Sequence, residues 1–97
     1  MKTQLIINNE AVDASNGATF ERLNSLTGKL VTQGAAATVA DANKAADTAA
    51  TAFKTWSETG PTERRLLLLK AADLLESKTN DFIQAMAAEV GASALWA

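Results

Sequence analysis

Covalent catalysis on a side chain needs an activated Ser, Thr, Cys or Lys beside a base, and this 97-residue chain contains neither cysteine nor histidine. The familiar serine triads are therefore excluded, and no motif supports a lysine or aspartate base in their place. A phosphate-cradling loop needs closely spaced glycines between a strand and a helix, whereas Gly17, Gly28, Gly34, Gly60 and Gly91 are scattered along the chain. Metal sites want convergent His, Cys or carboxylates. The acids here, such as Asp73 and Glu76 three residues apart, read instead as the solvated outer face of a helix. Glu63-Arg64-Arg65 could hold an anion, but an acid at a helix start with basic neighbours is more simply explained by the helix dipole and a surface ion pair. Two aromatic residues remain. Trp56 ends an apolar stripe and is expected to close a core. Trp96 either packs or lines an apolar pocket, and residue type alone favours packing.

The elements that would position these residues are read from periodicity and turn chemistry. Leu5 and Ile7 share a face at period two, Asn8-Asn9 can turn, and Ala18 to Leu23 alternates again, which predicts a β-hairpin with an extended arm over residues 1–34. Asn16-Gly17 and Thr27-Gly28 supply residues tolerant of positive φ and mark turns, with Lys29 to Thr32 as a short third extended piece. Thr38-Val39-Ala40-Asp41 fits a capping box, so a helix is expected over 38–57 starting at Val39. Val39, Ala42, Ala46, Ala49, Phe53 and Trp56 recur at steps of three and four, placing all six on one face for burial. Gly60-Pro61 breaks the chain and opens a second helix over 61–78, striped by Leu67, Leu68, Ala71, Leu74 and Leu75. Thr79-Asn80-Asp81 is expected to cap a third helix over 80–91, striped by Phe82, Ile83, Met86, Ala87 and Val90 and ended by Gly91. Ser93 could cap the start of a further helix at 93–97. Its apolar end, Leu95-Trp96-Ala97, has no evident partner, which suits a single incomplete segment of a longer protein.

Composition narrows the partners. Nine Lys and Arg against eleven Asp and Glu give a net charge of −2, so no field draws the chain to nucleic acid or an anionic membrane, and neither is expected as a partner. Without cysteine there is no disulfide framework. The amino end turns polar at Asn8 before a signal-peptide core could form, which makes a cytoplasmic location the expectation. The longest run of large apolar residues, Leu66 to Leu69, is far short of the roughly 20 that a membrane-spanning helix needs. Much of the 47% hydrophobic content is alanine, which buries little area for the backbone entropy it costs, so independent stability is not expected.

The order of segments carries a resemblance. Ala52-Phe53-Lys54-Thr55-Trp56, then Gly60-Pro61-Thr62-Glu63-Arg64-Arg65 with its leucines, then Ala88-Glu89-Val90-Gly91, resembles the amino-terminal part of the aldehyde dehydrogenase superfamily. Leu5 to Val12 resembles the family's first strand, and Phe20 to Gly28 its Asn-Pro-x-Thr-Gly arm. Ala11 stands where a tryptophan is common and Ser25 where the proline is common, departures that bear on the hairpin's packing and the arm's rigidity. Glu89 to Ala97 looks most like the bacterial aromatic-aldehyde branch, of the salicylaldehyde type, found in naphthalene breakdown. The resemblance implies an α+β fragment, hairpin and arm followed by three helices, of the family's α/β Rossmann-like fold. It also implies an NAD-dependent parent that oxidises an aromatic aldehyde to its acid and is a homo-oligomer. In that family a cysteine thiolate adds to the carbonyl, hydride passes to NAD, and a glutamate-activated water hydrolyses the thioester. None of those residues can be carried onto this chain. Trp96 alone is implied as a substrate contact, because the helix it starts borders the family's substrate channel. The alternatives are a stand-alone helical module whose leucine and phenylalanine stripes dock on a partner, or a truncated product with no function of its own.

Overall fold

The computed structural model describes residues 1–96. Strands β1 (Lys2–Thr3), β2 (Leu5–Ile7) and β3 (Glu10–Val12) open the chain, and β2 pairs antiparallel with β3, Ile7 opposite Glu10. The loop is therefore Asn8-Asn9 alone, both with positive φ (55° and 61°), the primed turn whose twist suits a hairpin. Alternation buries Ile7 and exposes Ile6.

The arm closes into a second hairpin, whose returning strand runs on to Ala35, past the short extended piece expected at Lys29 to Thr32. Strands β4 (Thr19–Leu23) and β5 (Leu30–Ala35) pair antiparallel, with a register shift between Arg22 and Leu23, and β1 joins the far edge of β5 in parallel. Strand β5 runs through Gly34, which faces Phe20 across the pair; a Cβ there would lie 2.7 Å from the Phe20 ring, so the missing side chain lets the ring cross the strand. The alternation of residues 18–23 buries neither face: every residue of β4 is exposed.

Helix α1 (Val39–Trp56) starts behind Thr38, whose hydroxyl accepts from the Asp41 N–H while the Asp41 carboxylate accepts from the Thr38 N–H, completing the capping box. Helix α2 (Pro61–Glu76) has Gly60 as N-cap and proline in its first turn, and it stops two residues short of the expected end. There the Ser77 hydroxyl donates to the Leu74 carbonyl at 2.7 Å and the Lys78 N–H reaches Leu75, three residues back, tightening the last turn. Helix α3 (Thr79–Val90) is capped at Lys78, not at Thr79. Thr79 lies inside the helix and turns its hydroxyl back to the Glu76 carbonyl at 2.6 Å, so it serves the preceding helix. Gly91 ends α3 with φ 70°. A turn at Ala94 to Trp96, with the Trp96 N–H bonded to the Ser93 carbonyl at 2.9 Å, stands where a further helix is expected; Ala97 lies outside the described residues.

The apolar stripes are helical as their spacing requires, yet they are not buried. Val39 is 79% exposed and Phe53 64%, and the leucines of α2 are exposed along their length. Among the described residues the buried apolar core is Ile7 and Ala14. The radius of gyration is 17.1 Å, against about 12.5 Å for a compact chain of this length. The helices spread as a thin slab instead of closing on one another.

Candidate functional site

The tip of the β4–β5 arm meets the last turn of α3, and Asn24 is the residue that joins them. Its N–H donates to the Lys29 carbonyl at 2.8 Å and its carbonyl accepts from the Gly28 N–H at 2.8 Å, closing the loop. Its side-chain Oδ1 accepts from the N–H groups of Leu26 (2.9 Å) and Thr27 (2.8 Å), an Asx turn. That leaves Nδ2 free to donate to the Ala88 carbonyl at 2.6 Å. Next to it, Arg22 Nη2 lies 3.4 Å from Glu89 Oε2, and the exposed Leu26 side chain comes beside Gly91, where an added Cβ would sit 3.2 Å from Leu26 Cδ1. Three contacts thus hold residues 88, 89 and 91, just before the turn that carries Trp96. Trp96 itself is 84% exposed, beside an exposed Leu95, and is not packed against the described residues as its type suggests. Sequence reasoning quoted Asn24 only as part of the arm. The signal was an asparagine opening the Asn24 to Gly28 loop, since an Asx side chain accepts from N–H groups two and three residues on.

A second junction ties the hairpins to α1. Asp41 is buried, and its carboxylate accepts from the N–H of Thr38 (2.8 Å) and, through both oxygens, from the N–H of Ser15 (3.2 and 3.3 Å). The Thr38 amide first, then the Ser15 amide, hold its carboxyl below the usual value, outweighing the opposing push of burial. The same carboxylate bears on nucleotide binding. The connection from β5 to α1, Ala36-Ala37-Thr38, contains no glycine, and a phosphate placed at this helix start would meet a negative charge already bonded there. These residues do not fit a dinucleotide.

At the α1–α2 corner the expected ion pair of Glu63 does not form among the described residues; Glu63 contributes to the first turn of α2 alone. Arg64 instead reaches back over α1. Its Nη2 donates to the carbonyls of Trp56 (2.7 Å) and Ser57 (2.9 Å), and its guanidinium lies 5.2 Å from the centre of the Trp56 ring. Trp56 therefore closes no core: it remains 41% exposed under a cation.

An open groove of about 660 Å³ runs along α1, lined by Asn8, Asn43, Lys44, Asp47, Thr48 and Thr51, and its two hydroxyls donate to the backbone carbonyls of Ala45 and Asp47, not to a side-chain base. Asp73 and Glu76 are exposed on α2, and no group of three metal-ligating side chains converges among the described residues. No helix of the described residues is long and apolar enough to cross a membrane.

A sequence model of the aldehyde dehydrogenase family matches residues 12–97. Salicylaldehyde dehydrogenase of Pseudomonas putida is 60% identical over all 97 residues of this chain, which correspond to 20% of that protein. The crystal structure of a salicylaldehyde dehydrogenase from Pseudomonas putida G7 complexed with salicylaldehyde superposes with a TM-score of 0.96 at 58% identity, covering 99% of this chain and 20% of that one. The structure of PnpE in complex with nicotinamide adenine dinucleotide matches at 37% identity and a TM-score of 0.90, covering 97% of this chain and 19% of that one. The chain spans about a fifth of the length of the curated relatives it matches.

Proposed function

Because the chain belongs to the aldehyde dehydrogenase family, we propose that it forms the amino-terminal part of an NAD-dependent enzyme that oxidises an aromatic aldehyde of the salicylaldehyde type to its carboxylic acid. The observation that carries this reading is the 60% identity to a salicylaldehyde dehydrogenase, sustained over every residue of the chain. The thiolate nucleophile, the glutamate that activates water and the dinucleotide site are assigned to the rest of the parent polypeptide. This chain has no cysteine, and the α1 start capped by Asp41 does not suit a dinucleotide.

What this segment supplies is structure and one wall. The exposed faces of α1, α2 and α3 are assigned to packing against the remaining sequence, which supports a segment reading over a free-standing module. Trp96 is assigned to the substrate channel, where an indole face offers a flat aromatic aldehyde an offset-stacking surface contributing about 0.5–1.5 kcal/mol. The parent is taken to be a cytoplasmic homo-oligomer serving aromatic-hydrocarbon breakdown of the naphthalene kind.

The test is an NADH-formation assay with salicylaldehyde. The 97-residue polypeptide alone should stay at background. The same residues, grafted in place of the matching segment of the Pseudomonas putida enzyme, should support turnover. NADH formation by the isolated polypeptide, or a folded graft that is silent with salicylaldehyde, would overturn the proposal.

A further inference from the structure

We infer that the arm tip is a positioning clamp for the aldehyde-facing tryptophan, with Arg22 and Asn24 setting the place of Trp96 without touching substrate. The inference rests on the assignment of Trp96 to the substrate channel and adds the device that holds it. Among the described residues the turn at Ala94 to Trp96 is supported internally by the Trp96 N–H bonded to Ser93, and its side chains are exposed. The path from that turn back to a rigid element is short. It leads through Gly91, whose left-handed conformation ends α3, to the carbonyl of Ala88 and the carboxylate of Glu89.

Those are the groups the arm grips. The Ala88 carbonyl lies in the last turn of α3, and the N–H four residues on, that of Ala92, turns to the Met86 carbonyl instead, so a side-chain amide at 2.6 Å satisfies a group that helix ends leave open. Asn24 is rigid when it does so. Its Oδ1 is engaged by two N–H groups of its own loop, which fixes the side-chain rotamer and aims Nδ2 at α3. Arg22 adds a charge contact to the next residue, where Glu89 is the more buried partner. Leu26 lies beside Gly91, where the chain leaves the helix. Contacts from three alternate arm residues, 22, 24 and 26, thereby converge on the end of α3 and its Gly91 cap, five to eight residues before the tryptophan. Fixing a binding wall in advance of ligand saves the ordering cost that a mobile wall would impose on binding, so the clamp should act on affinity for a ring that reaches Trp96 and leave a small aldehyde unaffected.

The test uses the full-length graft that carries residues 1–97 on the Pseudomonas putida enzyme, with N24A, N24D, R22A, R22K and W96A compared by two readouts. The first is amide hydrogen exchange over residues 88–96. The second is KM and kcat for salicylaldehyde against propanal. Losing one side-chain hydrogen bond corresponds to about a two- to tenfold change, and N24A loses the bond to Ala88 together with the two that Oδ1 accepts, so it should raise exchange and the salicylaldehyde KM by at least that factor, with kcat and propanal kinetics unchanged. N24D keeps the Asx-turn acceptor but loses the donor to Ala88, so it should raise exchange over residues 88–96 through loss of the α3 contact alone. R22K keeps the pair with Glu89 and should behave as the parent, whereas R22A should follow N24A. Unchanged exchange in N24A and R22A would overturn the clamp. Raised exchange with an unmoved salicylaldehyde KM, while W96A does raise that KM, would overturn the positioning role alone. A W96A enzyme with unaltered salicylaldehyde kinetics would overturn the assignment of Trp96, and the positioning role with it.

Discussion

Replacing Arg64 by alanine should loosen the end of α1 more than α2, the helix in which Arg64 resides. Its Nη2 bonds two carbonyls at the α1 terminus, Trp56 at 2.7 Å and Ser57 at 2.9 Å, while the guanidinium covers the indole at 5.2 Å. A hydrogen bond to a charged group contributes about 1.5–3 kcal/mol and an exposed cation–π contact about 0.5–1 kcal/mol. These do not add, because one side chain makes all of them and both carbonyls belong to exposed residues that water can reach once it is gone. The net cost then falls near about 1–2 kcal/mol, roughly a 5- to 30-fold change in the opening equilibrium. It should appear as faster hydrogen exchange at Ser57, Glu58 and Thr59, whose N–H groups bond the carbonyls of Phe53, Thr55 and Trp56. R64K keeps a positive charge at the helix end but loses the planar fork, and should fall between parent and R64A. The assay is exchange mass spectrometry on the full-length graft. Exchange at residues 57–59 within about twofold of parent in R64A, or a change confined to α2, would refute the reasoning.

Three further outcomes follow from the same geometry. Gly34→Ala would place a Cβ 2.7 Å from the Phe20 ring and should cost about 1–3 kcal/mol, read as a lower thermal midpoint of the graft, whereas Gly60→Ala, with open space around it, should cost well under that. The carboxyl of Asp41 is depressed when folded, so its contribution is present above the unfolded value of 3.8 and disappears as pH falls through the lower folded value; protection from exchange at Ser15 and Thr38, whose N–H groups bond that carboxylate, should fall with acid in the parent and lose that pH step in D41N. Far-UV circular dichroism of the isolated 97-residue chain on heating should show a shallow, non-cooperative loss of helix, since its apolar faces lie open; a sharp two-state transition would show that the chain buries enough by itself and would favour the independent module.

What was legible in the sequence was what is local. Thr38 and Asp41 are three residues apart, Asn8-Asn9 is a two-residue turn, and Gly91 needs its own φ, so each signal lies within one turn of chain and the structure follows it. Illegible were the joints between elements. Asn24 reaches Ala88 across 64 positions and Ser15 meets Asp41 across 26, and nothing in the spacing of an asparagine or a serine names a partner so far away. Arg64 was read as surface charge because sequence places it on the first turn of α2, not above the end of α1. The apolar stripes were read with the right period and the wrong surroundings: periodicity names which side of a helix is apolar, and it carries no information about what covers that side. Trp96 shares this limit, since its exposure follows from neighbours, not from its own type.

The balance between polar joints and open apolar faces bears on how the segment is used. A compact monomer of 10.2 kDa would expose about 5,300 Å², whereas this chain exposes 7589 Å². The excess, roughly 2,300 Å², is what one side of a permanent interface contributes, since obligate interfaces bury about 2,000–5,000 Å² in total. Local caps and single polar links can therefore orient the elements, Asp41 to Ser15, Asn24 to Ala88 and Arg64 to Trp56, but they cannot supply the burial that balances the entropy of ordering three helices. That division of labour accounts for two features together. Orientation is encoded within the segment by directional bonds, which hold their geometry even where water has access. Stability is deferred to non-directional burial of the leucine and phenylalanine stripes, which works against any apolar surface of the right shape. A substitution at a joint should accordingly change alignment, seen in exchange or substrate affinity, whereas one on a stripe such as Leu68 or Leu75 should change whether the assembled protein stays folded.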